Sequence, residues 1–283
     1  MVRKDADKRS SGTSSISGQQ SFASQGIAQA AQRELVQTDP WTALGAFTSA
    51  RIGLGRVGSS LSSAQVQSLA LAHAKARDAV HLPLNIEQLD NALKKQGLNT
   101  VHVHSQVADR HEYLLRPDKG RRLDEPSIER LTDLNWQASP LLLVIGDGLS
   151  STAVAQHGAP LVATIRAGLP KGWAMPGVVI ASQARVAIAD EIGQLLKAQM
   201  VAILIGERPG LSAADSLGVY FTFNPKVGCN DSQRNCLSNI RPQGMGYAEA
   251  AQKLLWLAGE ALRIKASGVA LKDESEHRPR LLE

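Results

Sequence analysis

Hydrophobic positions recur along this chain in two different rhythms. Between residues 39 and 98 they fall at mixed three- and four-residue steps, with Leu69, Leu71, Ala72 and Ala76 in residues 66–80, and Ile86, Leu89 and Leu93 in residues 85–95. Such spacing puts apolar side chains on one face of a helix. Asp39-Pro40 supplies a cap with a first-turn proline, and Gly97 ends the second helix. From about residue 100 the rhythm changes. Val101-His102-Val103-His104 alternates like a strand, while residues 141–145 and 201–205 are continuous apolar runs. Residues 178–180, 186–188 and 219–223 are strand-like as well, and helical patterns start at Ser150, Asp190 and Tyr247. Apolar runs separated by helices predict a parallel sheet covered on both faces. The expected fold class is therefore α/β. A Rossmann-like parallel-sheet domain occupies residues 100–283, preceded by a small helical subdomain at residues 36–99. Residues 1–35, rich in Ser, Gln and Ala, are expected to be a flexible tail, with one short helical stretch near Ile27, Ala31 and Leu35.

Composition narrows the function. Aromatic residues are only 4% of the chain, so the core is expected to be built from Leu, Val, Ile and Ala. The net charge of +5 is modest, and no nucleic-acid motif accompanies it, so nucleic acid is not an expected partner. No apolar run reaches the ~18 residues of a membrane span. The charged N-terminus lacks an apolar signal core, which predicts residence in the cytoplasm. Cys229 and Cys236 are expected to be free thiols, and no metal site is expected around them.

Three glycine-rich segments stand out. Gly53-Leu54-Gly55-Arg56-Val57-Gly58 matches the dinucleotide pattern GxGxxG, but that pattern works only after a buried strand, and residues 41–51 look helical. Its glycines, beside Arg51 and Arg56, better suit a loop that approaches a partner or phosphate closely. Gly146-Asp147-Gly148 and Gly206-Glu207-Arg208-Pro209-Gly210 have the missing context, because each ends an apolar run. In open α/β sheets ligands bind at that edge. Asp147 and Glu207 are candidate acceptors there, although capping of ordinary turns explains them too. His102 and His104 share a strand face, and Asp118 and Asp124 flank a basic cluster that suits a solvated surface. No catalytic constellation is visible, which favours a subunit that binds a cofactor or partner.

Four stretches resemble the small-subunit family of ethanolamine ammonia-lyase: Tyr113-Leu-Leu-Arg-Pro-Asp-Lys-Gly-Arg-Arg-Leu123, Ile145-Gly-Asp-Gly-Leu-Ser150, Gly206-Glu-Arg-Pro-Gly-Leu211 and Cys236-Leu-Ser-Asn-Ile240. The segment Lys265-Ala-Ser-Gly-Val269 is similar to that family's ending. The resemblance covers roughly residues 40–272. It implies a subunit of a lyase that deaminates ethanolamine to acetaldehyde and ammonia through adenosylcobalamin, beginning with homolysis of the cobalt–carbon bond. It further implies a hetero-oligomer in which a large barrel subunit binds substrate and the cobalamin lies between the two chains. On this chain the implied cofactor contacts are Val186, Glu207 and Cys236, and no catalytic residue is implied. Some members enter a protein-shelled bacterial microcompartment through an N-terminal amphipathic helix rich in Ile and Val, whereas this tail is rich in Ser and Gln. Two other readings compete: a free-standing oxidoreductase using Gly53 to Gly58, and a structural partner that never touches the cofactor.

Overall fold

A computed structural model describes residues 36–137 and 139–275, so the expected tail at residues 1–35 lies outside the described residues. The described residues divide into two compact units, with the boundary between Gln67 and Ser68. In the first, Asp39 caps a 3-10 helix at Pro40–Ala46 that buries no residue. Helix α1 (Ser63–His81) follows, and α2 (Ile86–Lys95) starts at an Asn85 cap whose side chain accepts from Gln88 N. Leu89, Leu93 and Leu98 are buried in the main core of the second unit.

The centre of that unit is a sheet of six strands among the described residues: β1 (Thr100–His104), β2 (Leu141–Gly146), β3 (Val178–Ser182), β4 (Met200–Gly206), β5 (Leu217–Phe223) and β6 (Arg234–Ile240). Their order is β1-β3-β2-β4-β5-β6. The expected helices appear as α5 (Ser151–Ala167), α6 (Ile188–Leu195) and α7 (Tyr247–Ile264). Two short ones, α3 (Arg110–Leu115) and α4 (Glu125–Thr132), have no counterpart in the sequence expectation. Among the described residues, no helix is long and apolar enough to cross a membrane.

The class is α/β, but the sheet is mixed. Strands β1, β3, β2 and β4 run parallel, whereas β5 pairs antiparallel with β4, and β6 antiparallel with β5. The expected all-parallel sheet is corrected here, because the chain returns from β4 through a loop instead of a crossover helix. Two apolar clusters flank the sheet. Leu143, Ile145, Ala202, Leu204, Val219 and Phe221 face α5 and α7. Val144, Val179, Val201 and Ile203 face Leu131 of α4 and Ile188 and Ile192 of α6.

A second correction concerns residues 186–188, which form no strand. Val186 and Ala187 make a turn, and Ile188 opens α6, where it is fully buried with Ile192. A three-residue apolar run carries too little periodicity to separate a strand from a helix start.

Candidate functional site

The two glycine-rich turns meet. They end the neighbouring parallel strands β2 and β4, and Leu149 N donates to Gly206 O at 2.9 Å. Gly148 sits at φ +58°, and a Cβ there would come within 2.3 Å of Gly206 O, so only glycine lets the turns touch. Asp147 does not face outward. It is buried and accepts from Gln183 N (3.0 Å) and Ala184 N (2.8 Å), with Arg110 Nη1 at 3.4 Å. It thus ties the end of β2 to the segment after β3.

Glu207 emerges where β4 gives way to the loop and lies over the antiparallel pair. Its carboxylate accepts from the Ser216 hydroxyl, from Ser238 Oγ at 2.6 Å and from Asn239 N at 3.2 Å. Gly218 leaves the space it needs, since a Cβ there would sit 2.9 Å from Glu207 Oε1. Three donors hold the carboxylate in one orientation. A carboxylate offers about four lone-pair sites, so one acceptor direction remains.

On the same face lie the cross-strand partners Tyr220–Cys236 and Thr222–Arg234, the second pair buried. Tyr220 and Cys236 share a hydrogen bond between their side chains. Burial pushes the Tyr220 phenol up to about 12, helped by the neighbouring Cys236. Burial also raises the Cys236 thiol; its bond with Tyr220 opposes that shift, and the charge of Glu207 adds to it. Both cysteines are free.

Val186 borders this surface from the turn before α6. Its carbonyl accepts from Ala189 N at 3.2 Å, while its own N–H makes no bond among the described residues. An open donor of this kind is normal for the first residues of a helix. Arg185 beside it stacks on the Tyr113 ring at 4.2 Å and donates from Nη2 to Tyr113 O at 3.0 Å. Arg110 approaches the same ring at 4.4 Å, and the Tyr113 hydroxyl donates to Ala184 O at 3.0 Å.

Two adjoining clefts result. One, of about 420 Å³, is lined by Tyr113, Arg185, Val186, Glu207, Arg208 and Tyr220 among others. Its neighbour, of about 460 Å³, shares Arg185, Val186 and Tyr220 and adds Arg121, Cys229 and Arg234. Val186 and Glu207 therefore share a cleft, and Cys236 is joined to it through Tyr220. Tyr113, Arg185 and Tyr220 escaped the reading of local chemistry. The one signal for Tyr113 was its place at the head of a family-like stretch.

The remaining candidates lie elsewhere. His102 Nε2 faces Asp90 Oδ1 at 3.6 Å, and His104 Nδ1 meets Ser105 O at 2.7 Å. Asp118 pairs with Arg116 at the exposed surface, and Asp124 caps α4 by accepting from Ser127 N at 3.0 Å. Among the described residues no strand precedes Gly53, and the chain before it is the 3-10 helix.

Comparison with known proteins gives the family. The ethanolamine ammonia-lyase light chain family matches residues 38–272. An ethanolamine ammonia-lyase small subunit of Ralstonia nicotianae is 51% identical over 246 residues, covering 85% of this chain and 91% of that protein. The small subunit of Azotobacter vinelandii is 50% identical over 84% of this chain and 90% of its own length, and that of Pseudomonas aeruginosa 49% over 84% and 89%. With half its residues shared across most of its length, this chain belongs to the ethanolamine ammonia-lyase small-subunit family.

Proposed function

We propose that this chain holds one edge of adenosylcobalamin against a large subunit, in a lyase that converts ethanolamine to acetaldehyde and ammonia. The observation that carries this reading is convergence. Val186 and Glu207, far apart in sequence, share a cleft with Tyr220 of β5, and Cys236 is the cross-strand partner of Tyr220 on β6.

The side chains suit such a ligand. A corrinoid presents neutral amide arms that both donate and accept, along with a nucleotide tail. The Val186 N–H offers a donor, and Glu207 offers an acceptor already fixed by three internal bonds. Cys236, an exposed thiol whose pKa is shifted up rather than down, offers a small soft surface without thiolate chemistry. The cleft of about 420 Å³ is much smaller than a corrinoid, so this chain can grip only an edge, and a second surface must cover the rest. The cofactor, when bound, supplies the radical chemistry; this chain supplies orientation and exclusion of water. Substrate binding falls to the large subunit.

Glu207→Gln tests the reading. The amide oxygen can still accept from Ser216 and Asn239 N while its NH2 donates to Ser238, so the fold should survive. What is lost is the charge behind a hydrogen bond to the ligand, worth about 1.5–3 kcal/mol, or roughly 10- to 150-fold in affinity. Cobalamin titration of the assembled enzyme, followed by absorbance, should show that loss with the complex mass unchanged. An unchanged cofactor constant removes Glu207 from the site. Dissociation of the complex makes it a structural residue.

A further inference from the structure

The dinucleotide-like motif is left without a nucleotide, yet its glycines are all at positive φ: +58° at Gly53, +69° at Gly55 and +60° at Gly58. Their partners explain two of them. A Cβ at Gly53 would lie 2.5 Å from Thr42 N, and one at Gly55 would lie 2.7 Å from Gln37 O. The glycines thus let residues 53–56 close onto residues 37–42. Thr42 Oγ1 donates to Gly53 O at 2.8 Å, and Gln37 and Arg56 exchange two backbone bonds of 2.7 and 3.0 Å. Arg56 Nε donates to Gln37 Oε1 at 3.1 Å, and Asp39 Oδ1 accepts from Trp41 N at 2.8 Å.

This closed loop has no core. None of residues 36–62 is buried; Phe47 is 87% exposed and Trp41 66%, and Leu44, Ile52 and Leu61 are exposed as well. A segment this short cannot offset its ordering entropy without apolar burial. Its local bonds nevertheless fix a shape that displays two aromatic rings, the residue types that dominate binding energy when they fill a partner's pocket. The loop also carries little charge. Among residues 36–62 only Asp39, Arg51 and Arg56 are ionic; Asp39 and Arg56 are engaged within the loop, and Arg51 also has a partner.

We propose that residues 36–62 are a preformed clasp that seats Trp41 and Phe47 in an apolar groove on the large subunit. The choice of occupant rests on the functional reading above. It is supported by the family match, which spans residues 38–272 and so includes all of the clasp except residues 36 and 37. A feature inside that shared span should engage something members share, and a small subunit implies a larger one. Closing the loop in advance lowers the ordering cost at docking.

The test is dilution of the co-expressed two-subunit enzyme, with the intact fraction read by mass. Trp41→Ala with Phe47→Ala should weaken association on the order of 100-fold or more, as expected for two buried aromatic anchors. Both residues are exposed in this chain, so circular dichroism should be unchanged. Gly53→Ala keeps both rings but forbids the closed loop, and it should weaken association too. Because the contact is nearly uncharged, raising salt should not dissociate the wild type. Wild-type association with the double variant assembling equally well overturns the clasp. Equal assembly by Gly53→Ala overturns the role of its shape. A chain that self-associates through these rings, with the large subunit bound normally, makes a second copy the occupant and also overturns the proposal. A wild-type chain that joins no larger subunit would instead sink the functional reading.

Discussion

Arg234 grips Asp190 with both ends of its guanidinium, Nη1–Oδ1 at 2.6 Å and Nη2–Oδ2 at 2.7 Å, and both side chains are almost fully buried. Arg234 comes from β6 and Asp190 from the first turn of α6, so the pair fastens the helix beneath Val186 to the strand that carries Cys236. Thr222 Oγ1 and Cys229 O take up further donors of the same guanidinium at 3.1 and 2.8 Å. Removing one partner of such a pair leaves an uncompensated buried charge, which costs about 3–5 kcal/mol. Asp190→Asn should therefore lower the denaturant midpoint strongly. Asp231 touches the same arginine at 3.4 Å, but its side chain is fully exposed. Asp231→Asn should change stability little. Equal effects of the two substitutions would show that burial does not set the strength of this tie.

A pH dependence is expected from the other face of the sheet. His157 of α5 is buried, with Nδ1 at 2.7 Å from the Tyr247 hydroxyl of α7 and Nε2 at 3.7 Å from Asp215 Oδ2. Arg241 Nη1 faces the same Asp215 at 3.4 Å. Burial, the largest influence, lowers the pKa of His157 below its ordinary 6.5, although Asp215 pulls upward. The unfolded chain then binds a proton at a higher pH than the folded one. The contribution of this residue is full above 6.5 and is lost as pH falls from there to the folded value. Denaturant titrations between pH 8 and 5 should show falling stability, and His157→Gln should remove that part of the slope. An unaltered slope in the variant would place the titration elsewhere.

How far these features were legible depended on where the pattern of burial was one-sided or complete. Strands β2 and β4 are buried at every residue, so an unbroken apolar run announced them. Strand β6 contributes only Leu237 and Ile240 to the apolar core; Arg234 is buried but charged, and Asn235, Cys236, Ser238 and Asn239 are partly or fully exposed. Such a strand has no hydrophobic signature, and with it went the antiparallel half of the sheet. Glu207 stood out as a candidate because a glycine-rich turn marks a strand end. Tyr220 was hidden inside an apolar strand, where alternation gives a face but not a neighbour. Asp147 and Glu207 occupy like positions in two like turns, yet one is consumed by Gln183 and Ala184 N–H groups. Local sequence carries no sign of that difference.

The chemistry expected of Cys236 is quiet. Burial and the Glu207 charge raise its thiol above the ordinary value, outweighing the Tyr220 bond that favours the thiolate. Only the thiolate alkylates readily. In a Cys229→Ser background, iodoacetamide should modify Cys236 slowly at pH 7.5, with the rate still climbing above pH 9. Tyr220→Phe removes the bond that lowers the pKa, so it should slow the reaction further. Rapid alkylation at neutral pH would contradict the protonated, soft contact assigned to this residue. Bound cobalamin should slow it again if the thiol lies against the cofactor.

The meeting of the two glycine turns can be weighed against a matched control. Gly148 and Gly172 both lie at positive φ, +58° and +85°. An L residue forced into that region costs about 1–2 kcal/mol at either position. They differ in space: a Cβ at Gly172 meets nothing within 4 Å, whereas at Gly148 it strikes Gly206 O at 2.3 Å and Ile205 Cγ1 at 2.6 Å. Gly172→Ala should therefore cost the backbone strain alone. Gly148→Ala should cost clearly more, because the ends of β2 and β4 must separate, and Glu207 follows Gly206 directly. Chemical denaturation of both variants gives the difference, and cobalamin titration of the assembled enzyme should show the cofactor constant disturbed only in Gly148→Ala. Equal stability losses would mean that the turns yield without cost. Equal cofactor constants would mean that Glu207 keeps its place when its neighbour moves.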